Sequence, residues 1–356
     1  MKTLLTFACA LGTTLLVPDA VNAEDGTAVS DLHNSVLHRL FTSGVDLSTG
    51  VADTRYPVNL TALKPGDAKF IFLSIGIPRF DMRGSNDTTL DDIILFFEEF
   101  RQLYDGPDET LAFAADQREM NKVLESGRIA YSFALEGSHL LGGDISGVDR
   151  LHAAGVRMIG IAHWFQNDFF TDPAEPVRPN KEPRYLYDRT VLSEKGRTLI
   201  ERMIEKKILI DVSHLRAAAF DAVVELNAGR TPLVASHSNA RALCDVPRNL
   251  EDSQIRAIAK TGGVIGICLH QPLLVGASER ATVMDVVDQI DHITQLVGAA
   301  HVAIGTDFEG RITTPEGLGF FTDLGKIGDE MKARGYALEE RNAILWRNAL
   351  RLLPSG

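Results

Sequence analysis

Residues 208–238 read ILIDVSHLRAAAFDAVVELNAGRTPLVASHS. Two short apolar runs, ILIDVSH at 208–214 and PLVASHS at 232–238, each end around a histidine, and the stretch between them is long enough for a helix. Near-continuous apolar runs of this length suit parallel strands buried on both faces, and parallel strands need a crossover of this kind. His214 and His237 then stand at the same end of two strands.

Working outward, the same pattern recurs. Further strand candidates are 28–32, KFIFLSI at 69–75, IAYSFALE at 129–136, VRMIGIAH at 156–163, GVIGICL at 263–269 and HVAIGTDF at 301–308. Helix candidates lie between them. The 89–103 stretch has apolar residues at helical spacing, 116–126 begins with an aspartate cap, 193–206 opens with Ser-Glu-Lys-Gly, and 284–297 is amphipathic. Strand and helix alternating about eight times predict an α/β fold, a (β/α)8 TIM barrel, with a doubly wound open sheet as the runner-up. A single barrel domain over 24–356 is expected, and the Pro-rich stretch DPAEPVRPNKEPR at 172–184 reads as a long loop over its mouth.

The chain of 356 residues is 45% hydrophobic and 24% charged, enough apolar material for a large core. Its 36 Lys and Arg against 48 Asp and Glu give a net charge of −12, which argues against nucleic acid or an anionic membrane surface as partner. No later stretch is long and apolar enough for a membrane span. Residues 1–23 carry Lys2, an apolar run and a Val21-Asn22-Ala23 ending, the pattern of a cleaved export signal, so a periplasmic or secreted location is expected. Beyond that segment only Cys244 and Cys268 remain, and both read as buried thiols.

The polar residues fall in a telling place. His33, Glu136, His163, His214, His237 and Asp307 each lie at the end of a strand candidate, and a barrel gathers all such ends at one mouth. Neutral imidazole and carboxylate are ligands that zinc takes, and two ions can share one carboxylate. His33, Glu136, His214 and His237 form that metal set, with His163 and Asp307 beside it. Of the other histidines, His38 lies a helical turn beyond the first site and His139 close to Glu136. His152, His270, His292 and His301 are assigned to loops, helix faces or strand starts.

The chain resembles the renal or membrane dipeptidase family, zinc peptidases with an amidohydrolase-type barrel. The resemblance runs from Asp31 to about Leu353, on DLHNS at 31–35, ALEGSH at 134–139, DVSH at 211–214, SHSNAR at 236–241, PRNL at 247–250, GTDFEG at 305–310 and the ending DEMKARGYALEERNAILWRNALRLL. It implies that His33 and residue 35 hold one Zn2+, that Glu136 bridges both ions, and that His214 and His237 hold the second. It implies that His163 polarises the substrate carbonyl or steadies the tetrahedral intermediate, that Arg248 anchors a substrate carboxylate, and that Asp307 shuttles a proton. The resemblance also implies a homodimer and a small peptide substrate.

Two positions depart from the family pattern. Ser138 stands where a second glycine is usual, and Ser35 stands where the family has Asp. Ser35 removes a negative ligand from the first metal position and leaves three arrangements open. Asp31 supplies a carboxylate, or water replaces it, or the site is mononuclear on Glu136, His214 and His237. The function expected is metal-dependent hydrolysis of dipeptides or small amides with a free carboxylate. The alternatives are an exported inactive or binding relative, or an amidohydrolase acting on a non-peptide amide, lactam or lactone.

Overall fold

The computed structural model describes residues 27–44, 47, 56–76, 88–107, 109–164, 166–174 and 189–356. The export signal expected at 1–23 and most of the 172–184 loop lie outside them. Strands are β1 (Val29–Asn34), β2 (Ala68–Ile75), β3 (Leu111–Phe113), β4 (Ile129–Leu135), β5 (Val156–Gly160), β6 (Phe170–Thr171), β7 (Val191–Leu192), β8 (Leu209–Asp211), β9 (Leu233–Ala235), β10 (Val264–Ile267) and β11 (Val302–Ile304). Eight of them pair in parallel in the circular order β1, β2, β4, β5, β8, β9, β10, β11, and β11 returns to β1. The ring is closed, so the barrel expectation holds and the open sheet does not.

Each of the eight ring strands falls on a segment read from the sequence. Two features were not read there. Short β3 pairs with the first half of β4, from Leu111↔Ile129 to Phe113↔Tyr131, before β5 takes over at Phe133↔Val156. Strands β6 and β7 form a separate two-residue antiparallel ribbon.

Helices cover the outside of the ring. In Leu90–Tyr104, Ile93, Phe96, Phe97, Phe100 and Tyr104 form one buried stripe. Thr89 starts this helix with a capping box to Asp92, leaving two end donors satisfied. Phe97 stacks on Phe133 of β4 at 4.2 Å between ring centroids, tying the helix to the ring. Asp116 and Ser193 cap Gln117–Glu125 and Glu194–Glu205 by accepting from Glu119 N and Gly196 N, as the sequence signals indicated. The C-terminal helical residues 338–350 lie against β1 and β11 with Trp346 fully buried.

Several predicted strands run shorter than their apolar segments. The ladder stops at Asp211, Ala235 and Ile304, and the polar residues follow on turning backbone. His214 and Asp307 take left-handed conformations, at φ 66° and 60°. Non-glycine residues held there store about 1–3 kcal/mol each, a cost common at functional sites.

A carboxylate clamp closes the seam of the ring. Asp31, fully buried on β1, accepts through Oδ1 from His33 N at 3.1 Å and Thr306 N at 2.8 Å. Through Oδ2 it accepts from Asn34 Nδ2 at 3.0 Å and Thr306 Oγ1 at 2.6 Å. Burial pushes its pKa up, while these hydrogen bonds hold it down. Both oxygens are thus spent joining β1 to the loop after β11, which removes Asp31 as the substitute ligand for residue 35.

Candidate metal centre at the barrel mouth

Glu136 follows β4 and is 7% exposed, at the centre of a ring of imidazoles. His214 Nε2 lies 3.1 Å, His237 Nε2 3.3 Å and His163 Nε2 3.4 Å from its Oε1, and His33 Nε2 lies 3.6 Å from its Oε2. The Nε2 atoms of His214 and His237 are 3.0 Å apart. His33 Nε2 is buried without a hydrogen-bond partner. Nitrogens this close, with an orphaned one beside them, are what a divalent cation would satisfy. The ligand-capable atoms of Glu136, His163 and His214 all lie within 4.8 Å of one another.

The electrostatics fit the same use. Burial alone would raise the Glu136 carboxyl, but the His163 and His33 charges and the His214 and His237 hydrogen bonds hold it well below its usual range. Burial drives His214 and His237 well below the ordinary imidazole value, Arg248 and a neighbouring histidine adding to it in each case. Both are neutral, the form that binds metal. Burial also brings His163 down to about 4. His33 differs: burial opposes its charge, yet Glu136, Asp307 and Asp211 outweigh it and push it up to about 9.

The backbone makes room for the carboxylate. A Cβ on Gly76, just past β2, would run into Oε2 and Cβ of Glu136, so glycine is required there. Asp307 reaches the mouth from the loop after β11, its N–H donating to His33 O at 2.9 Å. Burial and Glu136 push it up to about 7, against His33 and Arg248. Further along this loop Glu309, also left-handed, pairs with Arg39 and accepts from Val58 N at 3.1 Å.

Arg248 comes in from the loop after β9. Its Nη1 donates to Ser238 Oγ and its Nη2 to His237 O, both at 2.9 Å. Among the described residues no carboxylate lies within ion-pair distance of it, and burial lowers its pKa.

The structure therefore brings together all the residues singled out for this site except one. Ser35 is buried but serves as the N-cap residue of Val36–Ser43, with no side-chain cap bond. Its N–H donates to Phe308 O at 2.8 Å. Ser138 is accommodated, its hydroxyl donating to Ile161 O at 2.7 Å. His139 lies near the centre, 6.3 Å from the His163 ring, and His38 is half-buried with Nδ1 unpartnered among the described residues. His292 and His301 have the ordinary roles expected, bonding Asp252 Oδ1 and Gly263 O at 2.8 Å each. Cys244 and Cys268 are free and buried.

Residues not singled out also reach the site. Asp211 and Ser236 lie within motifs quoted for the resemblance, and their contacts depend on two strands meeting. Trp164, next to His163, is 51% exposed with its ring 5.4 Å from that of His214. A side chain's direction on a loop has no periodicity to reveal it.

A closed parallel barrel with imidazoles gathered on one buried carboxylate at its mouth defines a metal-dependent hydrolase. The family model described as Membrane dipeptidase (Peptidase family M19) matches residues 21–355, and the chain belongs to that family. It is 34% identical over 242 residues, 67% of this chain and 86% of the relative, to the "Uncharacterized protein in pqqA 5'region" of Klebsiella pneumoniae. It is 30% identical over 228 residues to "Dipeptidase aclJ" of Aspergillus oryzae, 64% of this chain and only 51% of that protein. Its fold is similar to a metallo peptidase from Rhodobacter sphaeroides, solved with a phosphinate mimic of the dipeptide L-Ala-D-Ala. The TM-score is 0.77 at 24% identity, covering 91% of this chain and 98% of that one.

Proposed function

We propose that the chain is an exported zinc dipeptidase that cleaves short substrates bearing a free C-terminal carboxylate. The observation that carries this reading is the convergence of four imidazole Nε2 atoms on Glu136, within 3.1–3.6 Å, beside an arginine that has no carboxylate partner among the described residues. Glu136, His214 and His237 would hold the tighter ion, since they offer three protein ligands. His33 and Glu136 would hold a weaker one, because Ser35 replaces the acidic ligand that the resemblance implies. Bound zinc supplies Lewis acidity and lowers the pKa of water near the scissile bond.

The remaining work belongs to the chain. Arg248 orients the substrate by its carboxylate, a task suited to a planar guanidinium already fixed by Ser238 and the His237 carbonyl. Neutral His163 donates from its ring to the carbonyl oxygen as charge develops there. Asp307, with its pKa near 7, takes a proton from the attacking water and returns it to the leaving amine. Trp164 offers a flat apolar wall for a substrate side chain.

The N-terminal pattern at 1–23 supports export to the periplasm or exterior, and the resemblance supports a homodimer; size-exclusion chromatography with light scattering tests the latter. The catalytic reading is tested by comparing Ala-Ala with Ala-Ala-amide, which lacks the carboxylate. We expect hydrolysis of the acid and a loss of at least tenfold in kcat/KM for the amide. Equal rates would remove Arg248 from substrate binding, and no hydrolysis of either by zinc-loaded protein would favour a non-catalytic binding relative.

A further inference from the structure

A hydroxyl occupies the middle of a second cluster at the mouth. His33, Asp211 and His237 have ligand-capable atoms all within 4.8 Å of one another, the spacing of a small metal cage. Ser236 Oγ fills that space. It lies 2.6 Å from Asp211 Oδ2, 2.8 Å from His237 Nδ1 and 3.2 Å from His33 Nδ1, with Ser213 Oγ more distant at 3.4 Å. The Ser236 side chain is wholly buried.

From this geometry we infer that Ser236 and Asp211 are positioning residues that together fix the ring tautomers of His33 and His237, one hydroxyl serving both metal positions. The reasoning follows from counting protons. Asp211 Oδ1 accepts from the backbone N–H groups of Ser213 at 2.9 Å and Ser236 at 3.0 Å. Its Oδ2 is left to accept the Ser236 hydroxyl proton at the shortest contact in the cluster. A hydroxyl has one proton and two lone pairs, so once the proton is committed to Asp211, both imidazoles must donate to it. In their neutral forms His33 and His237 therefore carry their protons on Nδ1 and keep Nε2 lone pairs directed at the Glu136 side. A partner on the second ring nitrogen commonly sets which nitrogen binds metal. Here a single serine does so for two ligands from β1 and β9.

This inference rests on the metal reading of the site for its purpose, but its core can be tested without metal. Asp211→Asn is the sharpest perturbation. The two backbone donors require the amide oxygen at the Oδ1 position, which puts the NH2 group against Ser236 Oγ. The hydroxyl proton must then turn to an imidazole, and His237 is the nearer. His237 would accept at Nδ1 and carry its proton on Nε2, where it blocks metal binding. Nitrogen NMR of the histidine rings in metal-free protein, at an alkaline pH where a parallel titration shows both rings neutral, reads the tautomers directly. We expect Nδ1–H on both rings in the wild type and Nε2–H on His237 in Asp211→Asn. Titration with zinc alone should show affinity at the tighter position falling about 10–100-fold. Ser236→Ala removes the hydroxyl with little change in volume and carries the same test if Asp211→Asn does not fold. It should leave the two rings in mixed tautomers and weaken zinc at both positions. Unchanged tautomers in a folded variant would overturn the inference. Wild-type rings with the predicted tautomers but no zinc affinity would leave the relay standing and remove the metal reading instead.

Discussion

Asp31→Asn separates a clamp from a ligand. The side chain keeps its shape, and its amide oxygen can retain the Oδ1 contacts to His33 N and Thr306 N. The NH2 group then replaces Oδ2, facing Asn34 Nδ2 at 3.0 Å and Thr306 Oγ1 at 2.6 Å. Thr306 Oγ1 can turn its proton towards His33 O, 3.4 Å away, and accept from the new amide. Asn34 Nδ2 has no such recourse, because it now meets another donor. A buried donor left unsatisfied costs about 1–3 kcal/mol, and a lost charge-assisted bond adds to that. Burial already disfavours the charge on Asp31, so the neutral variant recovers part of the loss. The net expectation is a destabilisation of roughly 1–3 kcal/mol, read as a lower urea midpoint at unchanged slope. Zinc bound per folded chain should not change. Loss of zinc without loss of stability would refute the reasoning and restore Asp31 as a ligand.

Gly76→Ala places a Cβ where the Glu136 carboxylate lies. It should cost about 1–3 kcal/mol of stability and abolish tight zinc binding, and a variant with full zinc affinity would show that Glu136 is not held as described. Because His33 is pushed up to about 9 in the metal-free chain, zinc must displace its proton at neutral pH. Affinity at the weaker position should rise with pH until about 9, with proton release visible by calorimetry in buffers of different ionisation enthalpy; no dependence on the buffer would contradict it. Arg248→Lys keeps the charge but loses the fork bonded to Ser238 Oγ and His237 O. KM for a dipeptide should rise by about tenfold or more with a smaller change in kcat, and an unchanged KM would count against the anchoring role.

Much of this fold was legible because a barrel repeats one signal eight times. The apolar runs located every ring strand, and Asp116 and Ser193 started helices where the sequence put them. The three residues of β3 carry too short a pattern, and they depend on a vacant edge along the first half of β4. Strand ends were less legible, since His214 and Asp307 leave the ladder in left-handed turns that their side chains do not announce. In the site, residue types marked the imidazoles and Glu136. The work of Asp31, Asp211, Ser236 and Gly76 was hidden, because each acts through a contact between segments far apart in the chain.

The most direct test of the whole account is zinc add-back to chelated protein, following zinc bound per chain and Ala-Ala hydrolysis on the same samples, in wild type and Glu136→Gln. The account predicts one tight and one weaker zinc in the wild type, hydrolysis that rises with zinc uptake, and neither tight binding nor hydrolysis in the variant. Hydrolysis by the metal-free wild type, or equal zinc uptake by the two proteins, would contradict it.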